Sequence, residues 1–305
     1  MRVFVYHAYF PAGGTYMSYH LGLVARRRLG LPVYAVGDPP QPGMFTYPEA
    51  FPVVDDATLL REARPDDILI CNPSFSDRLF GLRLPCRKLC YVQGIRTFKV
   101  LDVFHDRYVF VSDYAREFVH RHYGLDGPVI PAFIDTGIFQ AAGAADVRAR
   151  KLVCLVMDRK RQPLVLERLC DIYAARFPGN RLPVEVVPIV PQADLAERFR
   201  KARVSLGLSA IEGFYLPMLE AMACGCAVAG WESGGGAEYA RSGHNALLAR
   251  YGDFDTLAGH LHGLLHDDAL ATRLAAEGIA TGPAFSQERF EQSWADELAR
   301  FIAGR

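Results

Sequence analysis

Two carboxylates carry the clearest chemical promise in this chain. In SAIEGFYLPMLEAMACGCAVAG, residues 209–230, Glu212 and Glu220 stand eight residues apart around Gly-Phe-Tyr-Leu-Pro. The pattern predicts a strand over 204–208, a loop over 209–216 and a helix over 217–224. Pro217 suits a first helical turn, where its missing N–H costs nothing. The amides of Gly213, Phe214, Tyr215 and Leu216, together with the positive end of the helix dipole, are then left to face an anion such as a diphosphate. Glu220, near the first turn, can accept two hydrogen bonds from a vicinal diol such as ribose. Glu212, just before the turn, can reach another hydroxyl of the same ligand. A purely structural account uses the same residues. A glutamate near a helix start is stabilising in itself, and Ala-Met-Ala-Cys-Gly-Cys is ordinary close packing of a helix on a sheet. Cys224 and Cys226 form a C-x-C with no second pair, so no metal site is expected there.

A second candidate lies in YFPAGGTYMSYHLG, after the first strand. Gly13 and Gly14 permit a tight turn whose amides face an anion, and Thr15 is placed to cap the following helix. The spacing is not GxGxxG, so a dinucleotide fingerprint is absent, and an ordinary strand–helix turn uses the same residues. His7 and His20 flank this loop and read as structural. The tempting metal pair in GDFD, Asp253 and Asp255, precedes a helical pattern over 256–265 and reads as an N-cap.

Positioning these groups requires a regular scaffold, and the chain supplies one. Short apolar strands are predicted at 3–6, 33–36, 68–71, 89–92, 108–111, 153–157, 184–187, 204–208, 227–230 and 246–248. Helical stretches at 16–29, 114–123, 164–175 and 195–201 lie between them. That alternation marks βαβ units and parallel sheets. Small residues in AAGAADVRARK (141–151) suggest a linker between two Rossmann-like lobes. The C-terminal FSQERFEQSWADELARFIAGR places Phe285, Phe290, Trp294, Leu298 and Phe301 at helical spacing. The predicted divisions are a first lobe over 1–145, a second over 146–285, and a closing helix over 286–305 that crosses back to the first lobe.

Composition narrows the function classes. The 305 residues carry 34 Lys and Arg against 34 Asp and Glu, and a formal charge of zero predicts no nucleic-acid partner. No apolar run reaches membrane-spanning length, and the N-terminus lacks the pattern of a secretory leader. The seven cysteines have no framework spacing and read as reduced thiols of a cytoplasmic protein.

EGFYLPMLEAMACGCAVAG resembles the E-x7-E signature of retaining glycosyltransferases of family GT4, with Glu212 and Glu220 as its two glutamates. FVSDYAREFV, VIPAFIDTGIF and GGGAEYARSGHNALLARYGD resemble further segments of that family, in its order, across most of residues 108–256. The resemblance implies a GT-B fold, α/β with two Rossmann-like lobes whose parallel sheets face a central cleft. It implies a UDP- or GDP-sugar donor held mainly by the second lobe, and a glycan or lipid-linked saccharide acceptor at the first. Transfer would retain configuration and need neither metal nor other cofactor. Glu212 would then meet the donor sugar, Glu220 the ribose, and the amides of Phe214, Tyr215 and Leu216 the sugar and diphosphate.

The family's cations after the first strand of the second lobe fall in VMDRKRQP. The resemblance favours Arg159 and Lys160 on the leaving diphosphate, with Arg161 beside them, although the usual Arg-x4-Lys-Gly spacing is missing. Where many members carry a histidine facing the donor sugar, this chain has Gln93, which can hydrogen-bond but cannot titrate. Arg26–Arg28 near the end of the first helix suggest at most a weak peripheral membrane contact. A nucleotide-sugar epimerase or other GT-B enzyme, or an inactive nucleotide-sugar-binding scaffold, would also fit these features.

Overall fold

The computed structural model describes residues 1–73, 83–143, 147, 149–158 and 162–304. Its contacts divide the chain into two units, Met1–Phe133 with Gln287–Arg305, and Ile134–Ser286. The first division therefore falls at residue 133, where the sequence suggests residue 145. Residues from Ile134 onward belong with the second unit, tied to it by the Ile134 amide on the Phe285 carbonyl at 3.0 Å.

The first unit runs β1 (Val3–Tyr6), α1 (Gly13–Leu29), β2 (Val33–Val36), β3 (Val53–Val54), α2 (Asp56–Glu62), β4 (Ile68–Cys71), β5 (Arg87–Val92), β6 (Arg107–Phe110) and α3 (Asp113–Tyr123). Its strands are all parallel in the order β3-β2-β1-β4-β5-β6, the doubly wound arrangement. β1, β4 and the last four residues of β5 are buried, as expected for strands covered on both faces. Sequence periodicity predicts most of these strands to within two residues but leaves out β3 and α2, which are only two and seven residues long.

α1 is buried nearly all round from Thr15 to Ala25. It enters an aromatic cluster in which Tyr16 stacks on Phe45 at 4.3 Å and His20 meets Phe133 edge-on at 4.7 Å. Desolvation pushes the His20 imidazole down to about 3, so it sits there neutral, as a packing group. At the exposed end of α1, Arg27 pairs with Glu49 at 2.6 Å and Arg28 with Glu291 at 3.2 Å. The basic cluster that suggests a membrane surface in sequence is thus engaged by acids of its own unit. Among the described residues no helix is long and apolar enough to cross a membrane.

The second unit runs β7 (Lys151–Met157), α4 (Pro163–Arg176), β8 (Val184–Val187), α5 (Gln192–Lys201), β9 (Ala202–Gly207), α6 (Leu216–Ala223), β10 (Ala227–Trp231), β11 (Leu247–Ala249), α7 (Phe254–His266) and α8 (Asp268–Thr281). Its sheet is again parallel, in the order β11-β10-β9-β7-β8. Leu206, Ala229, Leu261 and Leu274 belong to one apolar core built from the sheet and its flanking helices. Asp253 caps α7 by accepting from the Thr256 amide at 3.0 Å, which is the expected role of that aspartate.

The chain ends in α9 (Gln287–Ile302), which belongs to the first unit. Phe290, Trp294, Leu298 and Phe301 form its buried stripe, and Trp294 meets Tyr91 of β5 edge-on at 4.9 Å. Phe285 is not part of this stripe. It lies in a 3-10 turn of the second unit. Glu297 is fully buried on α9 and bonds Arg107 at 2.6 Å and Arg300 at 3.0 Å. Removing one partner of a buried pair costs far more than the pair contributes net. Because Arg107 keeps some contact with water, Glu297→Ala is expected to lower unfolding free energy by about 2–3 kcal/mol, read as a shift in the urea midpoint.

Candidate active site

In an open parallel sheet, ligands collect beyond the carboxyl ends of the strands, where strand order reverses. In the second sheet that reversal lies between β7 and β9, which pair in register at Leu155 and Ser205. From the end of β9 the chain runs through residues 208–215 into α6. From the end of β7 it runs through Asp158 towards Arg159, Lys160 and Arg161, which lie outside the described residues.

The 208–215 loop is pinned from behind. The Gly235 amide donates to the Glu212 carbonyl at 3.0 Å, and Glu212 bridges Gly234 in parallel fashion. A Cβ on Gly235 would overlap the Gly213 carbonyl, so only glycine permits this approach. Tyr239 donates its hydroxyl to the Tyr215 carbonyl at 2.5 Å. The rings of Phe214, Tyr239 and Phe285 lie within 6 Å of one another, centroid to centroid, behind the loop.

The helix begins at Leu216, with Pro217 in its first turn. The amides of Gly213, Phe214 and Tyr215 donate to no described residue. The Leu216 amide differs from expectation, since it turns back onto the Phe214 carbonyl at 3.1 Å. The tight turn that brings the chain into Pro217 uses that donor internally, and three loop amides remain where the sequence suggested four.

The two glutamates are treated differently. Glu212 is half-buried and accepts from the Ser209 hydroxyl at 2.6 Å, which fixes its carboxylate at the mouth of the loop. Glu220 is 8% exposed, and its carboxyl has no hydrogen-bond or ion-pair partner among the described residues. Burial alone pushes it up to about 8. A buried acid without a partner is uncommon, because the desolvation cost goes uncompensated. Glu220 is the fifth residue of α6, and a buried acid without a partner there is a candidate ligand group. The sequence by itself suggests no role for Ser209 or Tyr239. Ser209 is legible in hindsight as a hydroxyl three residues before Glu212, whereas Tyr239 lies 24 residues from Tyr215 and only folding brings them together.

In the first unit, α1 starts at Gly13 with Ala12 as its cap residue, so the expectation for Thr15 is corrected. Thr15 lies two residues inside the helix and donates its hydroxyl to the carbonyls of Phe10 at 2.5 Å and Ala12 at 2.8 Å, tightening the loop from within. The amides of Gly13, Gly14 and Thr15 donate to no described residue. Gln93, at the end of β5, donates its side-chain amide to the Gly14 carbonyl at 2.7 Å. A Cβ on Gly14 would collide with the Gln93 amide oxygen, so the glycine and the glutamine fit each other. Gln93 thus positions the turn, with one of its donors engaged there.

Residues 168–281 match the family model described as glycosyl transferases group 1, a span that includes Glu212, the loop, Glu220 and the Gly234–Gly236 turn. Among curated proteins, the D-inositol 3-phosphate glycosyltransferase of Streptosporangium roseum is 33% identical over 184 residues, covering 55% of this chain and 42% of that protein. The chain spans less than half the length of the curated relatives it matches. Among solved structures, sucrose-phosphate synthase from Thermosynechococcus elongatus aligns over 100% of both chains with a TM-score of 0.75 at 17% identity. An Anabaena protein, HepE, solved in complex with UDP and glucose, aligns over 98% of this chain and 99% of its own with a TM-score of 0.73 at 15% identity. These likenesses establish the fold as two parallel-sheet α/β lobes of the GT-B type.

The raised Glu220 has a stability consequence whose sign is fixed. Between the ordinary glutamate range and pH 8 the folded protein holds a proton that the unfolded chain has lost, so this contribution falls as pH rises through that window. The slope is at most about 1.4 kcal/mol per pH unit. Urea midpoints of the ligand-free protein between pH 5 and pH 8 should therefore fall more steeply than those of Glu220→Gln; parallel curves would contradict the assignment.

Proposed function

We propose that the protein is a glycosyltransferase that moves a sugar from a UDP- or GDP-sugar to a glycan or lipid-linked saccharide acceptor, with retention of configuration and without a metal cofactor. One observation carries this reading. Glu220 is a buried, unpartnered acid on the helix that the Gly213–Tyr215 loop leads into, inside the span that matches glycosyl transferases group 1. A ribose diol supplies the two hydrogen bonds that this carboxyl lacks, and a diphosphate supplies the acceptor atoms that the amides of Gly213, Phe214 and Tyr215 lack. Glu212, oriented by Ser209, is assigned to hydroxyls of the donor sugar. The likeness to a protein solved with UDP and glucose makes UDP-glucose the first donor to test.

The chemistry follows from charge. As the sugar–phosphate bond breaks, negative charge gathers on the leaving diphosphate, and fixed donors aimed at that charge lower the barrier. The loop amides are one set of donors, and Arg159, Lys160 and Arg161 are the sequence's candidates for the other. In the proposed route the leaving phosphate takes the acceptor's proton on the same face, so no protein nucleophile is required. In the first unit, Gly13, Gly14 and Thr15 present open amides at the start of α1, with the turn held by Gln93. That turn is assigned to the acceptor side of the reaction.

Binding should favour the ionised Glu220, because hydrogen bonds to a charged acceptor are roughly twice as strong as neutral ones. Nucleotide affinity is then expected to rise with pH up to about 8, by as much as about tenfold per unit. Calorimetry with UDP and 2′-deoxy-UDP checks this. Glu220→Gln should flatten the profile and weaken UDP by about tenfold or more, with the deoxy analogue nearly insensitive to the substitution. If the variant binds UDP as tightly as the parent at every pH, the ribose assignment fails.

Turnover is the second check. Adding Mg2+ or Mn2+ should change kcat by less than about twofold, and Arg159→Ala or Lys160→Ala should lower kcat by about a hundredfold or more with little change in KM. An absolute requirement for the added ion would overturn the metal-independent route.

A further inference from the structure

The crossover between β5 and β6 carries no α-helix. Where a parallel pair normally receives a full helix over the sheet face, residues 93–106 provide only a 3-10 turn, Val100–Phe104. Five residues of 3-10 helix bury little apolar area, and such turns are weak on their own. Beside this turn lies a cluster that the site above does not use. Cys71 of β4 and Cys90 of β5 are register partners on adjacent strands, and both are fully buried. His105, the residue that ends the 3-10 turn, brings its Nε2 to 3.2 Å from the Cys71 sulfur. The two sulfurs and a histidine nitrogen all lie within 4.8 Å of one another.

The tautomer of His105 is settled by its other nitrogen. Nδ1 lies 2.8 Å from the Asp102 carbonyl oxygen, which can only accept, so Nδ1 carries the hydrogen. In the neutral ring Nε2 therefore keeps its lone pair, and that lone pair faces the thiol. A backbone carbonyl on the far nitrogen is the usual outer-shell support of a metal-bound histidine. The support is itself braced, because the Tyr108 hydroxyl donates to the same carbonyl at 2.7 Å and accepts the His105 amide at 2.9 Å.

We propose that Cys71, Cys90 and His105 form a zinc site that fastens the Val100–His105 crossover to the sheet of the first unit. The donor set of two thiolates and one imidazole is soft and borderline, which selects zinc over magnesium or calcium. Zinc–sulfur and zinc–nitrogen bonds in a tetrahedral site put S and N about 3.5 Å apart, close to the 3.2 Å between Cys71 and His105. Two thiolates neutralise the ion, so the buried site carries no net charge. His105 is the partly exposed member, and water completes the coordination from its side. The ligands lie 19 and 15 residues apart in sequence, with none of the short C-x-x-C spacings by which zinc sites are usually read. This site is separate from the proposed transfer chemistry, and its test does not depend on that activity.

The full-length protein, purified without chelator and dialysed, should retain about one zinc per chain by elemental analysis. Replacement by cobalt(II) should give the near-ultraviolet thiolate-to-cobalt absorption and the visible bands of tetrahedral coordination. Cys90→Ser should lose both the retained zinc and the cobalt spectrum, while Cys226→Ser, whose thiol is equally buried but lies in the second unit, should keep them. Zinc added back to chelator-stripped protein should raise its Tm, and should leave the Tm of a Cys71→Ser/Cys90→Ser double variant unmoved even if that variant starts lower. Denatured in chelator without reductant, the protein should show seven free thiols. Zinc far below stoichiometric with no cobalt–thiolate absorption would overturn the proposal. So would a count of five thiols, which would mean that Cys71 and Cys90 form a disulfide.

Discussion

A largely buried carboxyl group without a partner is costly for a fold to maintain, and Glu220 in the second unit is one. Glu220 can stay buried because α6 is short, apolar and packed tightly between the sheet and its neighbours. Met218, Leu219, Ala221 and Met222 surround it on the same helix, all essentially inaccessible. The protein accepts the desolvation of that acid, which holds its proton well above the ordinary glutamate range. Stability and pH are thereby linked through a single proton.

The loop leading into α6 answers to the same constraint. It leaves the amides of Gly213, Phe214 and Tyr215 without a described partner. The structure achieves this by anchoring the carbonyls and not the amides. Glu212 offers its carbonyl to Gly235, and Tyr215 offers its carbonyl to Tyr239. The aromatic packing of Phe214, Tyr239 and Phe285 fills the rear of the loop. What remains without a described partner is the three amides of Gly213, Phe214 and Tyr215.

The first unit solves a related problem with different means. Its helix α1 also begins with open amides, but the turn is held by a side chain, Gln93, reaching from β5 to Gly14. Further along the same sheet the helical cover thins to a 3-10 turn. There two register-paired cysteines of the sheet meet a histidine at the end of that turn. The two units share a doubly wound plan and differ in how each anchors its loops.

Much of this was legible in the sequence. Alternating apolar strands and amphipathic helices gave the βαβ plan because burial on both faces leaves a strand almost wholly apolar. The spacing of Glu212, Pro217 and Glu220 gave a loop that feeds a helix, because proline constrains where a helix can start. Other features depended on residues far apart in the chain. Thr15 looked like a cap, yet the helix starts at Gly13, since a glycine pair and a glutamine 79 residues away set the turn. The protonation of Glu220 could not be read locally, because desolvation comes from everything packed around it. The grouping of Cys71, Cys90 and His105 follows only from the pairing of β4 with β5 and the course of the chain into β6. Sequence determined which groups were available and on which elements they ride. Tertiary structure decided which of them meet and which lose their water, because both depend on contacts between residues distant in the chain.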